Sequence, residues 1–134
     1  MSPEHVIHRA VHDYEKKSRH TVNMELDDLP DSVGVSVKIT LYRLIQEALN
    51  NGYIHSGGKD QVIISRTSED NLEIEISDSG PGFNPQMIDL DGHLGLAGMR
   101  ERIEVLGGKF RILSSEKEGT RIIACLPLYA QDQI

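Results

Sequence analysis

A two-layer α/β sandwich, with a mixed and mostly antiparallel sheet covered on one face by helices, is the fold the sequence predicts, and three observations predict it. Four segments alternate apolar with polar residues and fall into two pairs, 61–67 with 72–78 around SEDN and 109–115 with 120–126 around EKEG, which is the pattern of two hairpins. Three other stretches, near residues 3–17, 41–55 and 96–106, repeat their apolar residues at helical intervals. Glycine clusters stand where one kind of segment gives way to the other. A chain of 134 residues is one domain's worth and can bury about two thirds of its unfolded surface. One domain over 1–134 is expected, its core at about 3–128 and a tail at 129–134.

The first helix places Val6, Ile7, Ala10, Val11 and Tyr14 on one side, with Ser2 as cap and Pro3 in the first turn. His5, His8 and His12 share another side, but no cysteine or carboxylate cluster completes a metal set, so exposed histidines are expected. Residues 21–26 alternate Val22, Met24 and Leu26 with polar neighbours and predict a half-buried strand, ended by the acidic turn 27–31. The central helix, LYRLIQEALNNGYIH, turns Leu41, Leu44, Ile45, Ala48, Leu49 and Gly52 inward. Glu47, Asn51 and His55 step by four along the border of that stripe, where a cleft floor would lie. A carboxylate, an amide oxygen and an imidazole there can take a proton, bind a hard cation and donate to phosphate. Ser56, Gly57 and Gly58 end the helix.

DSGPGF, residues 78–83, forces a sharp turn where Asp78 leaves its strand. Residues 84–93 show little periodicity and predict a mobile loop. It leads to GHLGLAGMRERIEVLGG, whose Met99, Ile103, Val105 and Leu106 predict a helix from about 96 to 106. Glycine lets backbone amides approach phosphate, and a helix start after such a loop aims free donors at an anion. The glycine spacing fits neither G-x-G-x-x-G nor G-x-x-x-x-G-K-[ST].

A net charge of −7 argues against a broad nucleic-acid surface, though not against a polyanionic ligand held by local donors and a metal. The longest apolar stretch, near 122–128, is too short to span a bilayer, so a soluble chain without membrane contact of its own is expected. The lone Cys125, in RIIACLPL, reads as a buried strand residue in a reducing compartment. The abrupt opening MSPEHVIHRA is what a segment of a longer parent would show.

The ordered set of a helix with Glu47, Asn51 and His55, then D-S-G-P-G, then G-L-A-G-M-R-E-R, then E-G-T is specific. It resembles the ATP-binding domain of the GHKL superfamily, the Bergerat fold, and within it the sensor histidine kinases of the NarL, DegS and DesK type, over nearly all of residues 1–128. LYRLIQEALNN resembles that family's N box, DSGPGF its first glycine box and GLAGMRERIEVLGG its second. The resemblance implies ATP and Mg2+ as ligands. Asn51 would hold the Mg2+ that bridges the phosphates, Glu47 would polarise the acceptor or position water, and His55 would face phosphate. Asp78 would accept a hydrogen bond from the adenine amine, a contact able to favour adenine over guanine by about ten- to a hundredfold. Gly80 and Gly82 would let the base slide in. Gly92, Gly95 and Gly98, with Leu96 and Met99, would form the hinge and phosphate-facing edge of a lid, and Gly119 and Thr120 would flank the adenine.

The chain departs from the family at two positions. Ile54 stands where many relatives carry lysine, and Gly52 stands where they carry alanine, which loosens the helix by about 1 kcal/mol if nothing compensates. In this family the phosphate goes to a histidine on a separate dimerising hairpin. His12-Asp13 fits that acceptor motif only superficially, because a strand and turn fill the interval before Asn51. A monomeric, cytoplasmic catalytic module is expected, with the parent's acceptor hairpin and a response regulator as partners. The alternatives are a serine kinase of the anti-sigma-factor type and a non-catalytic adenine-nucleotide sensor.

Overall fold

The computed structural model describes residues 1–80, 94–115 and 119–129. Its elements run α1 (Pro3–Ser18), β1 (Asn23–Leu26), α2 (Val35–Ser56), β2 (Val62–Thr67), β3 (Asn71–Asp78), α3 (Leu94–Val105), β4 (Lys109–Ser115) and β5 (Gly119–Pro127). The strands form one sheet in the order β1-β2-β3-β5-β4. β1 runs parallel to β2, and every other pairing is antiparallel, as the two hairpins require.

Register explains the layering. Ile63, Ile76, Ile122 and Ile112 lie abreast across four strands, and all four are buried. With Leu72, Ile74, Ala124 and Leu126 they form the inner sheet face, joined in one core to Ile7, Ala10, Leu41, Leu44, Ile45, Leu49, Leu96 and Ile103 from the three helices. One residue out of phase, the other face carries charge. Arg66 pairs with Glu73 at 3.6 Å and Arg121 with Glu75 at 2.7 Å. The two layers are those expected from alternation alone.

Local chemistry sets the helix ends. Ser2 caps α1 by accepting from the His5 N–H at 3.2 Å, with Pro3 in the first turn. The α2 exit is the expected one, Gly57 adopting φ 69° and returning its N–H to Gly52 and Tyr53 carbonyls. The start of α2 lies six residues before the expected 41. Val35, Val37, Ile39 and Thr40 are β-branched and blur a helical period, but Val37 and Leu41 are buried one turn apart and fix the helix through packing. Likewise α3 starts at Leu94 rather than 96, so Gly95 and Gly98 belong to the helix and not to the loop before it. β1 is shorter than 21–26: its bonding to the β2 side begins with the Asn23 N–H on Gln61 O at 3.0 Å, while the Val22 N–H, on the free edge, is taken by Glu15 Oε2 at 2.8 Å. The loop expected over 84–93, with Gly82 and Gly92, lies outside the described residues, as does the His55 side chain.

Candidate functional site

Two strand ends, of β3 and β5, meet beside the second half of α2. The helix brings Asn51, which is only 8% exposed, and Gly52 on the inward side, while Glu47 one turn earlier is exposed. Of the three residues expected along the border, Glu47 is thus exposed and Asn51 buried, and the His55 side chain lies outside the described residues. β3 ends at Asp78, half-buried, and its Oδ1 accepts from the Gly80 N–H at 3.1 Å. The next residue is pinned as well, since Ser79 N–H donates to Lys59 O at 3.1 Å and its hydroxyl to Asp60 Oδ2 at 2.7 Å. β5 begins at Gly119 and Thr120, with Thr120 directly opposite Asp78 in the ladder. The Thr120 hydroxyl is buried and shares a 2.8 Å hydrogen bond with Ser114.

Two glycines make this convergence possible. A Cβ on Gly52 would lie 2.7 Å from Gln61 Nε2 and 3.1 Å from Asp78 Oδ2, so the bare turn of α2 is what admits both side chains. Sequence reasoning treated Gly52 as a loss of helix stability, whereas its empty side is filled by these two groups. Gly119 has φ +83°, and a Cβ there would lie 2.2 Å from the Asp78 carbonyl oxygen. The same close approach that requires glycine holds β5 tight against the end of β3.

A second part of the site lies between α2 and α3. Tyr42, Arg43, Gln46 and Glu47 face Gly98, Met99 and Arg102 across a cleft of about 560 Å3. Its lining holds one carboxylate, Glu47, and two guanidinium groups, Arg43 and Arg102, the latter suited to an anionic guest. Of the second glycine box, Leu96 and Met99 are core residues, with Met99 also reaching the cleft wall. Gly98 is exposed, and a methyl added there meets nothing within 4 Å. Gly98→Ala is therefore expected to stabilise the protein by about 0.5 to 1 kcal/mol, read as a higher urea midpoint at unchanged slope. A lower midpoint would mean the position needs freedom that alanine lacks.

The structure thus brings together Asn51, Asp78, Gly80, Gly119 and Thr120, and sets Glu47 in the neighbouring cleft. Ile54, one of the two positions where the chain was expected to depart from the family pattern, is 74% exposed. One buried polar contact, between Tyr14 and Gln61, has no counterpart in the sequence patterns. Tyr14 of α1 hydrogen-bonds Gln61, and burial pushes its phenol above the ordinary 10.0. No local pattern marks them, because they are 47 positions apart. Gly52 in mid-helix is the one sequence signal that something must fill the space beside it.

What these elements resemble agrees with the geometry. Residues 36–130 match the family described as histidine kinase-, DNA gyrase B-, and HSP90-like ATPase. The chain is 27% identical over 119 residues to the sensor histidine kinase LiaS of Bacillus subtilis, covering 89% of this chain and 33% of that protein. It is 35% identical over 120 residues to the sensor protein VraS of Staphylococcus aureus, covering 90% of this chain and 34% of that one. It thus spans about a third of the length of the curated relatives it matches. Among solved structures, the Acinetobacter baumannii histidine kinase AdeS has a similar fold, with TM-score 0.74 at 16% identity over 96% of this chain and 66% of that chain. Since the matched segment covers most of the chain and includes Asn51, Asp78 and the Gly119–Thr120 pair, the protein belongs to the family of histidine kinase-, DNA gyrase B- and HSP90-like ATPases.

Proposed function

We infer that these 134 residues form the ATP-binding catalytic module of a two-component sensor histidine kinase. The module presents the γ-phosphate of ATP to a histidine on a separate dimerising hairpin, from which it passes to a response regulator. The observation that carries this is the convergence of the Asn51–Gly52 turn, Asp78 and the Gly119–Thr120 start of β5 on one spot, within a chain whose relatives are sensor kinases. Those relatives favour transfer to histidine over the serine-kinase and sensor alternatives. α1 leads into β1 rather than into a second long helix, which supports an acceptor other than His12.

Asp78 accepts the adenine amine, and Gly80 and Gly82 leave room for the base. Asn51 fits a Mg2+ site of the kind that takes one or two protein oxygens and completes its shell with phosphate and water. In this proposal the phosphates of the nucleotide and water supply the other ligands. Bound there, Mg2+ supplies counter-charge to the phosphates of an acidic protein. Glu47, exposed at the cleft, accepts the far N–H of the incoming imidazole. The other ring nitrogen then attacks the γ-phosphorus while the bond to the bridging oxygen breaks and ADP leaves. Contact with the phosphates is the role this proposal keeps for His55 and for the glycines at 92, 95 and 98; the His55 side chain and residue 92 lie outside the described residues. No described helix is long and apolar enough to cross a membrane, and a cytoplasmic place for the module is part of the proposal.

Calorimetry with ATP, in Mg2+ or in chelator, tests the metal assignment. Asn51→Ala is expected to bind ATP weakly and equally in both, whereas retained Mg2+ dependence would contradict the role of Asn51. Incubation with the parent's hairpin and γ-labelled ATP tests the transfer, and an unlabelled hairpin histidine would remove the kinase reading.

A further inference from the structure

Behind the Asn51–Gly52 turn runs a buried polar chain that the nucleotide reading does not use. Tyr14, 5% exposed on α1, donates its hydroxyl to Gln61 Oε1. Gln61, 1% exposed just before β2, donates from Nε2 to the Leu49 carbonyl of α2 at 2.9 Å. A carboxamide held at both ends has a fixed orientation, its oxygen toward the phenol and its nitrogen toward the helix. Nε2 carries two hydrogens, and Leu49 O takes one.

The second hydrogen has a neighbour. Nε2 and Asp78 Oδ2 border the same small space, the one a side chain at Gly52 would fill, at 2.7 and 3.1 Å from its first carbon. Asp78 Oδ1 is already tied to the Gly80 N–H. The oxygen on the Gln61 side is therefore the one whose orientation the turn leaves to other groups, and a carboxylate oxygen has lone pairs for more than one donor. An apolar side chain would fill the position of Gln61 without needing partners, so a buried amide that needs Tyr14 on one side and Leu49 on the other calls for a polar reason.

We propose that Gln61, clamped by Tyr14, is a positioning residue for Asp78, holding its Oδ2 through one water so that the carboxylate receives the amino group of the base. Selectivity for adenine then depends on two residues that do not touch the nucleotide, and Gly52 is the gap through which they act. The proposal rests on Asp78 being the base acceptor, and the experiment separates failure of the one from failure of the other.

The test compares the full chain's affinity for ATP and for purine riboside triphosphate, which lacks the 6-amino group, by competition against a fluorescent ATP analogue. Wild type is expected to prefer ATP at least tenfold. Gln61→Val is expected to weaken ATP about tenfold and leave the amine-free nucleotide unchanged, so the preference collapses. A merely structural role would weaken both nucleotides together. Tyr14→Phe removes one hydroxyl, keeps the packing, and carries the test alone if the first variant does not fold; it is expected to reduce the preference at least threefold. A wild type that prefers ATP, with variants that keep the same preference or lose both nucleotides equally, overturns the proposal alone. A wild type that binds neither nucleotide overturns the Asp78 assignment and the proposal with it.

Discussion

Replacing Asp78 with asparagine is expected to weaken ATP about ten- to a hundredfold and to erase the preference for adenine over guanine. The reason lies in how the carboxylate is held. Oδ1 accepts from the Gly80 N–H at 3.1 Å, so an asparagine places its carbonyl oxygen there to keep that bond. Its amide nitrogen then stands where Oδ2 was, on the side of Gly52. A donor now meets the adenine amine, itself a donor, and the cost of an unmet buried hydrogen bond is about 1 to 3 kcal/mol. That range is the ten- to hundredfold loss. Guanine offers a carbonyl at the same place and is penalised less. Calorimetry with ATP and GTP reads the change directly, while the melting temperature should barely move because Asp78 is half-buried and its backbone stays in the ladder. An unaltered adenine preference in the variant would refute the role.

Gly119→Ala is expected to damage fold and site together. The position has φ +83°, where alanine costs about 1 to 2 kcal/mol. Its methyl would also lie 2.2 Å from the Asp78 carbonyl oxygen and 3.0 Å from both the Asp78 carbonyl carbon and Ser79 Cα. These are backbone atoms of a paired strand and cannot swing aside, so overpacking adds about 1 to 3 kcal/mol. A loss of about 2 to 5 kcal/mol corresponds to a fall in melting temperature on the order of 10 °C. Even where the variant remains folded, β5 must retreat from Asp78, and ATP affinity should fall with it. A melting temperature within a degree or two of wild type would mean that the strand ends can separate freely. The contrast with Gly98 is instructive, since the same substitution there is expected to stabilise.

How much of this was legible in the sequence depends on the distance over which each feature is decided. α1 could be read because its apolar period, its Ser2 cap and its Pro3 are all local. The two hairpins could be read because alternation and the intervening turns lie within a few residues. The first turns of α2 could not, since β-branched residues carry a helix there only because Val37 packs inside. The boxes located Asn51, Asp78 and Gly119, but the reason for Gly52 is Gln61, and the reason Gln61 can be buried is Tyr14, on another helix. Such partners are chosen by tertiary contact and leave no period behind. The exposed Ile54 was legible as a departure, and its outward placement shows that α2 neither needs nor buries that side chain.

Of the five described strands, the one that closes off Asp78 is also the last to be synthesised. Until residues 119 and 120 have left the ribosome and found the end of β3, a growing polypeptide has the acid and the asparagine but no wall to set them against. Copies that end before β5 are therefore expected to draw nothing from the cell's ATP pool.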